Sequence, residues 1–187
     1  MEQLINYIEQ IVKLDDAAKA ALHELAAIEH FAKNEFILEP GQRCNKIWFL
    51  KAGMVRKFFF HDGKEKTVWI TTENEIFTSL QSYAQRRHSD EYLQACEKCE
   101  VISISRGNSE KLIRFPAFVT FTNTLMEREF SNIDKNTKAL SSTDARGKYE
   151  YLKKIAPEMT KRAKLGHIAS LLGISQETLS RIRKSQT

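Results

Sequence analysis

Apolar residues at the start of the chain recur at helical spacing. Leu4, Ile5, Ile8, Ile11 and Val12, then Leu22 and Leu25, lie on this period between Gln3 and Ala27, and the break near Leu14-Asp15-Asp16 divides them into two predicted helices. From about Asn34 the pattern changes. EFILEPG, NKIWFLKAG, MVRKFFFHDGK and EKTVWIT are short runs rich in Ile, Val, Phe and Trp, closed by Pro40-Gly41, Gly53 and the hairpin pair Asp62-Gly63. Strands at that spacing predict a small antiparallel sandwich or barrel. More strand-like sequence follows at YLQACEKCEVISIS, Tyr92 to Ser105, and then a short helix at SEKLIRF with Ser109 as its N-cap.

A longer helix is predicted from Pro116 to about Ala139. Phe118, Phe121, Leu125, Met126, Phe130, Ile133 and Leu140 spread over roughly half of its wheel, more than a strict coiled-coil seam requires. So broad a face needs two partner surfaces: the chain's own barrel along one edge and a twin helix along the other. Burial wholly within one monomer is the alternative. A further helix at DARGKYEYLKKIAP leads to the last segment, IASLLGISQETLSRIRK, Ile168 to Lys184.

Leu165, Ile168, Ala169 and Leu172 make one face of a short helix. Gly173 supplies the positive φ for a tight turn, and Ser175 is a preferred N-cap for a second helix. The small Ala169 lets that helix cross closely, with Ile174, Leu179 and Ile182 filling the space between. At 100° per residue, Gln176, Glu177, Ser180, Arg181 and Lys184 gather opposite Thr178, Leu179 and Ile182. These side chains suit base edges: Arg for guanine O6 and N7, Gln for adenine, Glu for cytosine N4. Lys153, Lys154, Lys161, Arg162, Lys164, Arg183 and Lys184 are expected to meet phosphates. An αα-hairpin with a polar outer face is the bland alternative.

Charge alone leaves both readings open. The net charge of +5 conceals an asymmetry: residues 135–187 hold 12 Lys and Arg against 4 Asp and Glu, whereas the preceding 134 residues hold 17 against 20. A basic C-terminal quarter is either a solvated face or the footprint of a phosphate-backbone partner. The 42% apolar and 28% charged composition is that of a folded chain. No stretch approaches the ~18 apolar residues of a membrane span, and MEQLINYIEQ lacks a basic region followed by an apolar run. The odd count of three cysteines fits a reducing compartment, so a cytoplasmic protein without a membrane partner is expected.

In the order of its parts the chain resembles the Crp/Fnr family of bacterial transcription regulators. IASLLGISQETLSRIRK resembles that family's helix-turn-helix, and LEPGQRCNKIWFLKAGMVRKFF resembles the start of its cyclic-nucleotide-binding β-roll, with Gly41 and Gly53 at the turns. The resemblance implies an α+β fold: a jelly-roll-like β-roll with N-terminal helices (residues 1–115), a connecting and dimerisation helix (116–140) and a helix-turn-helix domain (141–187). It implies a homodimer on a roughly palindromic double-stranded DNA site, with recognition helices about 34 Å apart, and RNA polymerase as a further partner. Ser175, Gln176, Glu177, Ser180, Arg181, Arg183, Lys184 and Lys164 are the expected DNA-binding residues. Only Ser185, Gln186 and Thr187 follow the recognition helix, so no β-wing is expected.

The resemblance also implies a small-molecule effector in the β-roll, moving the DNA-binding domains between two arrangements. The expected site is Phe77, Thr78, Ser79, Arg86 and Arg87, within EIFTSLQSYAQRRHSDEYLQA. Thr78 and Ser79 stand where the family's cyclic-nucleotide binders carry the glycine that admits a phosphate and the glutamate that grips the ribose. Asp90 and Glu91 follow Arg86 and Arg87 closely and would repel a phosphate. The effector is therefore expected to be something other than cyclic AMP, or absent, and no resident cofactor is expected.

Cys96 and Cys99 form a lone CxxC, short of the four thiolates of an iron-sulfur cluster, and in a strand they would point to opposite faces. His23, His30, His61, His88 and His167 are scattered singly, unlike a metal site, and no Gly-rich phosphate loop or GxSxG elbow is present. Phe58-Phe59-Phe60 reads as core and edge packing. Catalysis is not expected. The rival to a DNA-binding regulator is a ligand-binding signalling module whose C-terminal helices dock a protein.

Overall fold

The computed structural model describes residues 1–185; Gln186 and Thr187, on which part of the β-wing expectation falls, lie outside the described residues. Two helices open the chain, α1 (Glu2–Glu9) and α2 (Asp16–Leu25). Asp15 separates them by capping α2, its Oδ1 accepting from the Ala18 N–H at 2.7 Å. The expected helix ends earlier than Ala27. Ala26 turns into extended backbone and opens a strand that the helical pattern hides, β1 (Ala26–Phe31), held by pairing with residues 99–104 some seventy positions on.

The expected sandwich follows, with β2 (Phe36–Leu38), β3 (Lys46–Ala52), β4 (Val55–His61), β5 (Lys64–Thr71), β6 (Ile76–Phe77), β7 (Tyr92–Ala95) and β8 (Cys99–Ser105). These strands form two four-stranded sheets, ordered β1-β8-β3-β6 and β2-β7-β4-β5, and every named pairing is antiparallel. The turn Asp62-Gly63 joins β4 to β5 as its residues predict. Gly53 closes β3 onto β4 at φ +104°, where a Cβ would lie 2.6 Å from the Lys98 carbonyl oxygen and 2.7 Å from Cys99 Sγ. No other residue fits that approach.

The segment Tyr92 to Ser105 is two strands in different sheets, not one. The chain crosses between layers at residues 96–98, so strand alternation does not relate Cys96 to Cys99: Cys99 is buried in the roll and Cys96 is half-buried against the C-terminal helices. The short helix that follows, α4 (Arg106–Leu112), starts before Ser109; Ser105 is its N-cap, accepting from the Asn108 N–H at 3.2 Å.

Three packed regions organise the molecule. Leu38, Trp48, Leu50, Val55, Phe77, Leu93 and Val101 fill the roll between its sheets. On the other side of the β3–β8 sheet, Leu4, Ile5, Ile8 and Leu22 of α1 and α2 pack on Phe49 and Ile102, joined by Phe118 and Phe121 from the first turns of α5 (Pro116–Ser142). Past Leu125 that helix leaves its own roll. Met126, Phe130 and Ile133 are exposed, Phe130 to 64%. The third region joins the roll to the C-terminal helices.

Candidate nucleic-acid interface and effector site

Four helices form the C-terminal unit: α6 (Ala145–Ile155), α7 (Pro157–Arg162), α8 (Leu165–Leu172) and α9 (Gln176–Lys184). Helix α7 is an addition to the sequence reading, begun by Pro157 at its first position. Tyr149, Leu152, Met159, Ala163, Ile168, Ala169, Leu172 and Leu179 form the unit's core, and Leu179 is fully buried. Gly173 takes the left-handed conformation, and the Ile174 N–H reaches back to the Ala169 carbonyl at 3.0 Å, closing α8 as a tight turn requires. Ser175 then caps α9, accepting from the Thr178 N–H at 3.1 Å.

With Leu179 anchored inward, Gln176, Glu177, Arg181, Arg183 and Lys184 lie exposed on α9, as do the capping Ser175 and Lys164 before α8; Ser180 is half-buried. Backbone N–H at the first turn, then the Ser175 hydroxyl, hold the Glu177 carboxyl below its ordinary range. The far end of α9 is tied to α6 by Arg146 Nη2 donating to Ser185 Oγ at 2.9 Å.

Arg162 is not a free phosphate ligand. Its guanidinium grips the Glu73 carboxylate through two hydrogen bonds of 2.7 and 2.8 Å, pairs with Glu97, and donates to the Gly53 carbonyl at 3.2 Å. Those bonds push the Glu73 carboxyl down to about 2. On α8, Ser170 Oγ accepts from the Thr67 N–H at 2.9 Å and donates to the Glu65 carbonyl at 3.0 Å, clasping the open edge of β5. Met54, Ile70, Trp69 and Cys96 of the roll complete the shared core. Nothing in the local sequence marks this clasp.

His167 lies in the same contact. Its Nδ1 is buried without a hydrogen-bond partner, and burial, followed by the charges of Arg56 and Lys164, pushes the ring down to about 4, so it is neutral near pH 7. Arg56 is itself 3% exposed, held by Glu65 at 2.5 Å and Gln94 at 3.1 Å over the Phe58 ring.

At the expected effector site the chain occupies its own polar groups. Phe77 lies inside the roll, stacked on Trp48 with centroids 5.5 Å apart. Thr78 Oγ1 donates to the Lys46 carbonyl at 3.0 Å. Ser79, buried, donates to Glu91 Oε2 at 2.9 Å and meets Ser89 Oγ at 3.2 Å. In the helix that follows, α3 (Leu80–Gln85), Ser82 donates to the Arg87 carbonyl at 2.6 Å and accepts from the Cys44 N–H at 2.9 Å. Arg86 and Arg87 are exposed, Arg86 leaning 3.4 Å from Glu110 of α4. A phosphate placed at Ser79 would meet the Glu91 carboxylate. Among the described residues no group of three or more His, Cys, Asp and Glu gathers as a metal site, and no helix is long and apolar enough to cross a membrane.

Residues 28–114 match the family described as cyclic nucleotide-binding domain. No curated protein sequence matches the chain. Among solved structures, a mutant of CooA from Carboxydothermus hydrogenoformans superposes with a TM-score of 0.65 at 19% identity, covering 89% of this chain and 78% of that one. FixK2 from Bradyrhizobium japonicum gives 0.69 at 17% identity, over 86% and 83%. CLP from Xanthomonas campestris, described as a c-di-GMP responsive global regulator, gives 0.69 at 14% identity, over 92% and 91%. At such identities the likeness is one of fold. Residues 28–114 are thus similar to a cyclic nucleotide-binding domain, and the chain has a fold like that of solved Crp/Fnr-type transcription regulators.

Proposed function

We propose that the chain is a sequence-specific DNA-binding transcription regulator that acts as a homodimer and does not take its signal from cyclic AMP. The exposed face of α9 carries the reading: Gln176, Glu177, Arg181 and Lys184 stand on solvent while Leu179 and the clasp on β5 fix the helix behind them. Docking on the roll leaves that face open. Val119, Met126 and Ile133 recur every seven positions on α5 and are all exposed, a seam that a twin helix would cover. Such pairing would set two α9 helices toward successive major grooves. Phe77, Thr78, Ser79, Arg86 and Arg87 mark the corresponding effector region, closed here by Glu91 and the hydroxyl cluster.

The reading is tested by substituting the two kinds of contact separately. Arg181→Ala should weaken the preferred duplex by about 1–3 kcal/mol and relax preference at one base position. Lys164→Ala should weaken all duplexes alike and flatten the salt dependence. Equal loss on preferred and random duplexes for Arg181→Ala would remove Arg181 from the recognition face.

A further inference from the structure

Gly166 is not one of the glycines that take a left-handed φ. It stands in the first turn of α8 with helical backbone, where alanine holds a helix better than glycine does. Its missing side chain therefore needs another cause, and the structure offers one. A Cβ at Gly166 would lie 3.0 Å from Oε1 of Gln176, closer than such atoms ordinarily approach. Beyond its chain neighbours and its own helix backbone, that Cβ would meet no other atom of the described residues within 4 Å.

Gln176 opens α9 directly after the capping Ser175, and the buried, small Ala169 lets α9 cross close over α8. The carboxamide thus reaches the start of α8, whose N-cap Lys164 makes no side-chain cap bond. The first N–H groups of a helix lack internal acceptors, so this end carries partial positive charge and suits the carboxamide oxygen. Gln176 is otherwise exposed. A free glutamine side chain loses much rotamer freedom when it is ordered. One already lying on Gly166 has lost part of that freedom before a base arrives.

We propose that Gly166 is a positioning residue for base recognition: the room left by its missing side chain lets Gln176 lie against α8, and that brace sets the direction from which the carboxamide meets a base edge. This deepens the DNA-binding reading above and rests on it. Gly166→Ala would put a methyl group into the space of Oε1 and turn the head of Gln176 away. Only the flexible end of one side chain has to move, so the fold is spared. Arg181, further along α9, is not among the atoms that methyl would meet. The effect is therefore confined to the base that Gln176 reads.

The test uses a duplex selected from a random library by the wild-type chain, and a panel in which each base pair of one half-site is changed in turn. Anisotropy titrations and Tm are measured for the full chain, Gly166→Ala, Gln176→Ala and the double variant. Gln176→Ala identifies the base pair that Gln176 reads. Gly166→Ala should lower discrimination at that same pair about tenfold, leave the pair read by Arg181 unchanged, and keep or raise Tm. In the Gln176→Ala background it should change nothing further. Four results would overturn the proposal and leave the DNA-binding reading in place: no base pair that depends on Gln176, unchanged discrimination in Gly166→Ala, a loss spread evenly over the half-site or accompanied by a fall in Tm, or a loss that persists without Gln176. A wild-type chain that selects no duplex removes that reading, and this inference with it.

Discussion

Single residues show how short-range chemistry is legible and long-range chemistry is not. Gly173 and Ser175 act on neighbours within five positions, so turn and cap can be read directly from GIS. Arg162 looks like one more cation of a basic tail, yet it is spent on Glu73, 89 positions away. His167 is similar: its spacing says only that it lies on a helix, whereas burial, Arg56 and Lys164 press it toward neutrality, against a weaker opposing pull from Glu65. A histidine pushed down to about 4 gives stability that is complete above its ordinary value near 6.5 and is lost as pH falls from there toward 4. Glu73, pushed down to about 2, acts with the same sign but lower, between 4.5 and 2. Glu75, raised to about 7 chiefly by burial, has the opposite sign, its contribution fading as pH rises through 7. Comparison of His167→Gln with the wild-type chain isolates the first effect. Between pH 6.5 and 4 the wild-type Tm should fall more steeply than that of the variant; parallel curves would contradict a neutral, buried His167.

At the scale of elements, β1 and α5 teach opposite lessons. AAIEHF continues a helical stretch without Gly or Pro to stop it, and becomes a strand because β8 offers a complete antiparallel partner. Local pattern cannot see that partner. Helix α5 was legible because its breadth of apolar face exceeded what one surface can cover, and the structure divides that face: Phe118 and Phe121 against the roll, Met126, Phe130 and Ile133 in solvent. The pairing proposed for this seam has a direct consequence. Phe130→Glu should shift the protein from dimer to monomer in sedimentation equilibrium, with little change in the fold of the roll, since Phe130 is exposed in the single chain. A dimer of unchanged strength would move the interface elsewhere.

For the whole molecule, the order of parts was visible in sequence: roll, long helix, helix-turn-helix. The departure from the cyclic-nucleotide pattern at Thr78 and Ser79 was visible too. What replaces that pattern was not, because Glu91 reaches Ser79, and Cys44 reaches Ser82, only once β7 and the β2–β3 connection have folded around α3. Nor was the seating of the helix-turn-helix on β5, through Ser170, Arg162 and a shared core. Together these features leave the polar face of α9 open to solvent and close the region around Ser79, as the proposed DNA-binding reading requires. The most direct test is fluorescence anisotropy of a duplex from upstream of the protein's own coding sequence, against a scrambled duplex, at two salt concentrations, with and without cyclic AMP. Preference for the native duplex that persists at the higher salt and is unchanged by cyclic AMP is the predicted result. Equal affinity for both duplexes, or preference that appears only with cyclic AMP, would contradict it.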